Sequence, residues 1–356
     1  MLSGSSTFGR APLRVGFAGG GTDTDEFMAV RSGAVLNSSL NMFVHCWISE
    51  DTSQKEPHFA IHDHSRESED ERTDDIRLHQ AVWGWFRRNR LGGRTPAIRI
   101  ETASDVPWGS GLGASSALTV CILKALYTHF GHSVSRQSLT REAHHIERVD
   151  AKIPGGYQDH FAAAFGGINL LRLEDPDRIG VERVAISSRS VAALESRFFL
   201  VFSGASRSRV QLDSYGRRLT AMSDVRRDML SKLADSAHRG YSYLDSGDIV
   251  GFLDELRLAA ELKKLSNPQA SVEAVARVES HALGLGADFC KSLGAGGGGF
   301  LLVAVSPHSR SKVMAGMRRA GIKCTNLSLC MKGAEAFRAG HQGQESVRLP
   351  VGATRA

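Results

Sequence analysis

Two carboxylates and three glycine-rich turns carry the chemistry open to this sequence. The stretch DVPWGSGLGASSAL, residues 105–118, holds Gly109, Gly111 and Gly113, then Ser115 and Ser116, then an apolar helix-forming run. Glycines let backbone N–H groups turn inward and approach a ligand closely. A helix starting just behind them adds unpaired N–H groups and the positive end of its dipole. That combination attracts phosphate, and the two hydroxyls can add contacts to phosphate or to a magnesium ion. Two further glycine clusters stand far away in sequence, AGGGTDTD at 18–25 and GAGGGG at 294–299. One such loop is usually a turn. Three of them, two bordering elements of the expected sheets, point to one ligand gripped from several sides.

The carboxylates are Glu147 and Asp159, within HHIERVDAKIPGGYQDHFAAAFGG. Glu147 lies beside the apolar stripe of a helix, near its C-terminal end, where the dipole disfavours a carboxylate unless a cation is present. Mg2+, which takes one or two carboxylates together with phosphate oxygens, would satisfy it. An exposed helical glutamate is the competing reading. Asp159 stands at the expected start of a short helix, where it suits the dipole whether or not it does chemistry. Residue types alone leave both pairs of readings open.

Two other chemistries are weaker. Residues 109–114 match the G-x-G-x-x-A fingerprint of dinucleotide-binding folds, but Asp105, Val106, Pro107 and Trp108 separate them from the preceding strand, and no strand ending in an acid follows. An oxidoreductase is therefore disfavoured. The Walker loop fails because no Lys-Ser/Thr pair follows the last glycine. His58, His62 and His64 have metal-like spacing, and His144 and His145 sit near Glu147, but no cysteine joins either group, so zinc is not expected. His145 reads as a surface or core histidine.

The elements that must hold these groups read as α+β rather than as a doubly wound parallel sheet. Strands are expected at 13–17, 35–48 (one or two), 59–62, 97–102 and 168–173, with helices at 76–90, 115–130 and 161–165. A helix between them shows Leu139, Ala143, Ile146 and Val149 on one face. The helix at 115–130 is apolar nearly all round and should be buried. The one at 161–165 stops at Gly166 and Gly167. Beyond residue 190 the pattern changes: a strand at 198–202, long helical stretches at 213–245, 248–265 and 271–285, a strand at 300–305, a helix at 309–320 and a last strand at 323–331. The acidic run at 65–75 reads as a solvated loop. Units at 10–190 and 191–339 are expected, with polar tails at 1–9 and 340–356.

Composition is that of an ordinary globular chain: 356 residues, 42% hydrophobic and 23% charged. No apolar run is long enough for a membrane span. MLSGSSTFGR has no hydrophobic signal core, and the five cysteines (Cys46, Cys121, Cys290, Cys324, Cys330) are scattered, so a cytoplasmic protein with reduced thiols is expected. The net charge of +6 comes from dispersed arginines without a nucleic-acid motif. It reads as a solvated basic surface or as suited to an anionic small substrate. Neither a nucleic-acid nor a membrane partner is expected, and a homodimer stays open.

PWGSGLGASSA resembles the central ATP-binding motif of the GHMP kinases, the family of galactokinase, homoserine kinase, mevalonate kinase and phosphomevalonate kinase. APLRVGFAGGGTD at 11–23 resembles the family's N-terminal substrate motif, and SLGAGGGGFLLV at 292–303 its C-terminal glycine motif. Glu147 and Asp159 match the family's magnesium-binding glutamate and catalytic aspartate in order and separation. The resemblance spans roughly residues 10–335.

It implies a two-domain GHMP kinase fold: an N-terminal unit like ribosomal protein S5 domain 2, carrying the ATP and substrate motifs, and a C-terminal ferredoxin-like α/β sandwich. It implies ATP and Mg2+. Pro107, Gly109, Ser110, Gly111, Leu112, Gly113, Ala114, Ser115 and Ser116 would hold ATP, and Ser116 and Glu147 the metal. Asp159 would be the base and Arg14 its partner. Gly19, Gly20, Gly21, Thr22, Asp23, Gly156, Tyr157, Gly296 and Gly297 would form the sugar site.

Within the family, AGGGTD, Val35-Leu36-Asn37, SDVPWGSGLGASS and GGYQDHFAAAFGG are most like the branch acting on heptose 7-phosphate. Galactokinases carry Glu-His where this chain has Gly20-Gly21, which opens room for a different sugar. Departures are His160, where the family commonly has glutamine, and Tyr157, where it varies. The expected reaction makes the 1,7-bisphosphate of D-glycero-D-manno-heptose for nucleotide-activated heptose and surface polysaccharide. L-fucose, galactose or a 7-phosphorylated octose as acceptor, or a non-catalytic sugar and ATP sensor, are the alternatives. Arg207, Arg209, Lys263, Lys264 and Lys291 are candidates for the distal phosphate.

Overall fold

The computed structural model describes residues 6–51, 56–62, 76–204, 223–266, 273–294 and 298–339. The expected loop at 65–75, the tail at 340–356, the first ten residues of the helix expected at 213–245, and His64, Arg207, Arg209, Gly296 and Gly297 lie outside them.

The first sheet is organised by two long strands, β1 (Ser6–Ala18) and β2 (Gly33–Glu50), which pair antiparallel along most of their length. β2 is one continuous strand. Its first part pairs with β5 (Ile168–Asp175), and its last part with β4 (Ile98–Ser104). β3 (His58–His62) joins β4 in parallel, and β6 (Arg178–Arg183) joins β5. The register of β1 on β2 shifts between Pro12 and Arg14, a bulge at the point where the strand delivers Arg14.

Three expectations are corrected here. Residues 6–9, placed in a tail, begin β1, because Thr7, Gly9 and Ala11 are buried on one side of the strand and a Cβ on Gly9 would lie 3.0 Å from that of Ala125. The closing segment β11 (Glu335–Ala339) pairs with β1. The chain end assigned to the C-terminal unit thus returns to the first sheet, and the expected division is not a clean cut. The strand expected at 323–331 is shorter, with β10 covering only Cys324–Asn326.

The second sheet runs β10–β7–β9–β8, all antiparallel, with β7 (Phe198–Phe202), β8 (Phe289–Ser292) and β9 (Phe300–Ala304). Helices α7 (Asp224–Ser246) and α8 (Ile249–Ser266) bridge toward β1 and β2. The main apolar core runs from Leu13 and Phe17 of β1 through Leu233 and Phe252 to Leu200 and Leu302, so both sheets share it. A second core lies between the smaller sheet, α9 (Glu273–Gly284) and α10 (Arg310–Arg319). No helix among the described residues is long and apolar enough to cross a membrane. The architecture is α+β, as expected.

Helix α3 (Ala114–His129) is buried on nearly every side, matching its apolar sequence. Helix α4 (Arg136–His145), capped by Ser135, runs directly into a π turn, Ile146–Asp150, closed by Ala151 N–H to Ile146 O at 2.8 Å. The wider turn breaks the 3.6-residue period. Val149, expected on the buried face, is 56% exposed, and Glu147 is carried inside at 1%. Between α4 and β5 lies α5 (Gln158–Phe165), with Asp159 in its first turn and Gly166 ending it.

The glycine loops touch backbone to backbone. Phe300 N–H donates to Ser110 O at 2.8 Å, and a Cβ on Gly299, at φ +86°, would fall 2.2 Å from that oxygen. Gly247, the left-handed cap of α7 at φ +77°, has nothing within 4 Å of its Cβ position. We expect Gly299→Ala to cost more than about 2 kcal/mol of stability and Gly247→Ala about 1 kcal/mol, the backbone term alone. Urea unfolding of both variants checks this, and equal losses would refute close docking of the two loops.

Candidate active site

The walls of one cavity of about 370 Å3 are built by β1, the 109–116 loop, the π turn, α5, α7, α8 and β8. At its centre Arg14 grips Asp159 with two hydrogen bonds, Nε to Oδ1 at 2.6 Å and Nη2 to Oδ2 at 2.9 Å. Its third nitrogen, Nη1, donates to the carbonyl of Gly111, while its own N–H donates to Leu112 O at 2.9 Å. A Cβ on Gly113 would lie 3.1 Å from Asp159 Cγ and 3.3 Å from Arg14 Cγ, so the glycine lets the pair close onto the loop.

Gly109, Gly111 and Gly113 all have φ between +73° and +83°. Gly113 caps α3 with no side-chain hydrogen bond, which leaves the first-turn N–H groups of Ala114, Ser115 and Ser116 without an intrahelical or side-chain partner. Ser110 Oγ is buried and unpartnered among the described residues. These are the donors an anionic ligand needs.

Glu147 faces the same space. It accepts from Ser115 Oγ at 2.5 Å and Ser116 Oγ at 2.7 Å, and lies 3.3 Å from Arg148 Nη1. Nε2 of the wholly buried His160 sits 2.6 Å from Glu147 Oε2, although out of line for a hydrogen bond. Burial alone would raise the Glu147 carboxyl. Arg148, His160 and the donated hydroxyl of Ser115 outweigh it and hold the group far below the usual carboxylate range. The exposed-glutamate reading is excluded.

The sugar-loop residues divide. Gly20, Gly21, Asp23 and Thr24 line the cavity. Thr22 does not: its Oγ1 donates toward Gly19 O and Ala34 O and accepts Ala34 N–H, stapling the loop to β2. Gly19 does not line it either, since a Cβ there would meet Ala34 O at 1.8 Å. Asp23 is 2% exposed and accepts from Gly21 N–H, Gln158 N–H and Gln158 Nε2. Burial, with the charge of Asp159 adding to it, raises its carboxyl despite those donors. Gly156 packs on Asp23, where a Cβ would lie 2.1 Å from Oδ2. Tyr157 is turned away, its hydroxyl on Asp25 at 2.9 Å and its ring stacked 3.6 Å from that of His144.

Pro107 and Leu112 stand outside the lining as well, Leu112 being wholly buried in the core. Lys263, Lys264 and Lys291 all line the cavity. Lys291 donates to Gly16 O at 2.8 Å, and burial together with Arg14 pushes its ammonium down to about 7. Three charged lining residues were not singled out from sequence: Arg148, Arg226 and Glu279. Arg148 adjoins Glu147, a usable clue; Arg226 has no local signature. His145 is exposed.

Residues 77–167, which contain the 109–116 loop, Glu147 and Asp159, match the GHMP kinases N terminal domain. A D-glycero-alpha-D-manno-heptose 7-phosphate kinase of Campylobacter jejuni is 26% identical over 92% of this chain and 98% of its own. The crystal structure of a D-glycero-D-manno-heptose 1-phosphate kinase from Bacteroides thetaiotaomicron superposes with a TM-score of 0.75 and 26% identity, covering 94% of this chain and 99% of that one. Mevalonate kinase of L. major shares the fold alone, at 14% identity and a TM-score of 0.67 over 90% of this chain and 96% of its own. The protein is a phosphotransferase with an alcohol group as acceptor, built on the two-sheet α+β fold of these kinases. Residues 77–167 are matched by the GHMP kinases N terminal domain, and over nearly its whole length the chain is similar to heptose phosphate kinases.

The His144 and Tyr157 stack sits behind this site and carries a pH consequence. Burial, then the charges of His160 and Arg148, push His144 down to about 2. The unfolded chain takes up a proton below pH about 6.5 that the folded chain refuses, so stability falls as pH drops from that point. His144→Phe keeps the ring stack and removes the proton. We expect its unfolding free energy to fall less than that of the native protein between pH 7 and pH 5, measured by urea titration. Parallel falls would show that His144 is not held neutral.

Proposed function

We propose that this kinase transfers the γ-phosphoryl group of ATP to the anomeric hydroxyl of D-glycero-D-manno-heptose 7-phosphate, giving the 1,7-bisphosphate. The observation that carries the transfer reading is the Asp159 carboxylate, locked by Arg14 directly beneath the glycine loop. Phosphoryl transfer needs positioning and charge neutralisation more than covalent help, and this places a base beside a phosphate cradle. Asp159 orients the sugar hydroxyl and accepts its proton as the O1–P bond forms and the bond to the β-phosphate breaks, releasing ADP. An anomeric hydroxyl is more acidic than an ordinary alcohol, so a carboxylate suffices. Arg14 holds the Asp159 carboxylate in place with two hydrogen bonds and faces the transferring group.

The donor set of Glu147 and Ser116, a carboxylate and a hydroxyl, fits a hard cation that takes oxygen ligands. Among the described residues no three His, Cys, Asp or Glu side chains are grouped to hold a metal, so phosphate and water oxygens would complete the set. Bound there, Mg2+ supplies charge neutralisation on the β- and γ-phosphoryl oxygens. Support for the acceptor comes from the heptose relative, matched over nearly its full length, and from Gly20 and Gly21, which line the cavity without contributing side chains to it. The product would feed nucleotide-activated heptose and surface polysaccharide, in a cytoplasmic enzyme.

Purified enzyme with ATP and Mg2+ should release ADP with D-glycero-D-manno-heptose 7-phosphate well above the rate with L-fucose, galactose or unphosphorylated heptose. Good turnover of fucose or galactose without turnover of the heptose phosphate would overturn the acceptor. Asp159→Asn should keep its melting temperature within a few degrees and lose about 10^2–10^4-fold in kcat. Unchanged kcat would remove Asp159 as the base. Glu147→Gln should raise the Mg2+ concentration for half-maximal rate and weaken Mn2+ binding measured by electron paramagnetic resonance in the presence of ATP. Unaltered metal dependence would remove Glu147 as a ligand.

A further inference from the structure

Six basic side chains line the cavity among the described residues: Arg14, Arg148, Arg226, Lys263, Lys264 and Lys291. Five are held by the protein itself. Arg14 is tied to Asp159 and Gly111 O, and Arg148 donates to Ile153 O and Gly156 O. Lys263 donates to Ser292 O and Gly294 O, Lys264 pairs with Glu279, and Lys291 bonds Gly16 O. Arg226 differs. Among the described residues its guanidinium makes no hydrogen bond or ion pair, and its Nε is shielded from solvent with no partner. A shielded donor without an acceptor is costly and calls for a ligand or another explanation.

Its position says which ligand end it would meet. Arg226 lies in the first turn of α7, and Leu230, one turn on, shares its face of the helix. The Leu230 side chain stands 3.2 Å from the Cβ position of Gly21. This face of α7 therefore closes over the sugar loop, while Ser115, Ser116 and Glu147 gather around the start of α3. Asp159 lies between the two, touching Gly113 and raising the carboxyl of Asp23. An acceptor with its reacting hydroxyl at Asp159 would extend its other end toward Gly21 and α7.

We propose that Arg226 receives the phosphate carried at the far end of the acceptor and sets the preference for a phosphorylated over an unphosphorylated sugar. The proposal rests on the acceptor reading above. A planar guanidinium presents paired donors that match phosphate oxygens, which an ammonium does not. Arg226 is thus a specificity residue, remote from the bond that forms.

Steady-state kinetics of the native enzyme, Arg226→Gln and Arg226→Lys, with heptose 7-phosphate and with unphosphorylated heptose at saturating ATP, test it. In Arg226→Gln the KM for the phosphorylated sugar should rise about 10–100-fold with kcat little changed, the value of a lost charged hydrogen bond. Its kcat/KM for the unphosphorylated sugar and its KM for ATP should stay the same, and Arg226→Lys should recover part of the loss. A preference for the phosphorylated sugar that survives in Arg226→Gln, or an equal loss on both sugars, overturns Arg226 alone. A native enzyme with no preference between the two sugars overturns the acceptor reading and this proposal with it. If Arg226→Gln does not fold, Arg226→Lys, which keeps the charge but not the fork, still decides by a KM change confined to the phosphorylated sugar; no such change overturns the assignment.

Discussion

Arg14 is 5% exposed, and its guanidinium meets two oxygens of Asp159 and one of Gly111. Three parts of the chain, β1, α5 and the glycine loop, are thereby fixed to one another by a single side chain. A charge so deeply buried is tolerated because every donor edge finds an oxygen. Removing either partner would leave an uncompensated charge in the interior. The bulge at Pro12 and Arg14 is what aims the residue, and the absence of a Cβ at Gly113 is what lets the ion pair approach the loop. The same contacts that hold the junction together place a carboxylate against the glycine loop, so fold and site share one constraint.

The glycines then act by subtraction. A Cβ on Gly111 would fall 2.7 Å from Leu293 O, and one on Gly294 would fall 2.8 Å from Gly111 Cα. The central and C-terminal loops are stacked main chain on main chain, a distance no side chain permits. Gly156 plays the same part against Asp23, Gly19 against Ala34 of β2, and Gly33 against the main chain of Thr22. The glycine clusters therefore serve two ends. Some free backbone donors for a ligand, as at the start of α3, and others bring loops from distant parts of the sequence close enough to share one cavity.

Much of this was legible in the sequence, where local pattern and tertiary role agree. Helix α3 is apolar all round and buried all round, and β5 and α2 (Arg77–Arg90) lie where periodicity puts them. Glu147 and Asp159 were singled out through the family resemblance, in order and separation, where residue types alone left their roles open. What escaped depends on long-range partners. β11 is a short strand in a polar segment, and only its ladder with β1 makes it a strand. The π turn shifts Val149 outward and Glu147 inward, and nothing in IERVD announces an extra residue in the turn. Thr22 and Tyr157 carry polar groups in the expected sugar motifs, yet both spend them on the fold, one on β2 and the other on Asp25. Arg226, on a helix far along the chain, is indistinguishable in sequence from a surface charge until α7 is laid over Gly21.

The way the cavity's cations are held bears on why it suits a reaction between two anions. A carboxylate partner would fix a lysine or arginine in place but cancel its charge. Here main-chain carbonyls share in the fixing: Gly16 O for Lys291 and Ser292 O and Gly294 O for Lys263, while Arg148 donates to Ile153 O and Gly156 O and also lies 3.3 Å from the Glu147 carboxylate. A carbonyl orients the cation through its dipole and leaves the unit charge to act on whatever enters. Of the ionisable groups that line the space among the described residues, six are basic and four acidic; one of the acids, Asp23, has its carboxyl raised toward the neutral form, and one of the bases, Lys291, has its ammonium pushed down to about 7. The balance of charge is therefore positive, and Glu147, whose carboxyl is held far below the usual range, is flanked by the hydroxyls of Ser115 and Ser116. That arrangement keeps two kinds of group apart: basic side chains spread over the wall of the cavity, and two carboxylates held by different partners, Glu147 by the hydroxyls of Ser115 and Ser116 and Asp159 by Arg14.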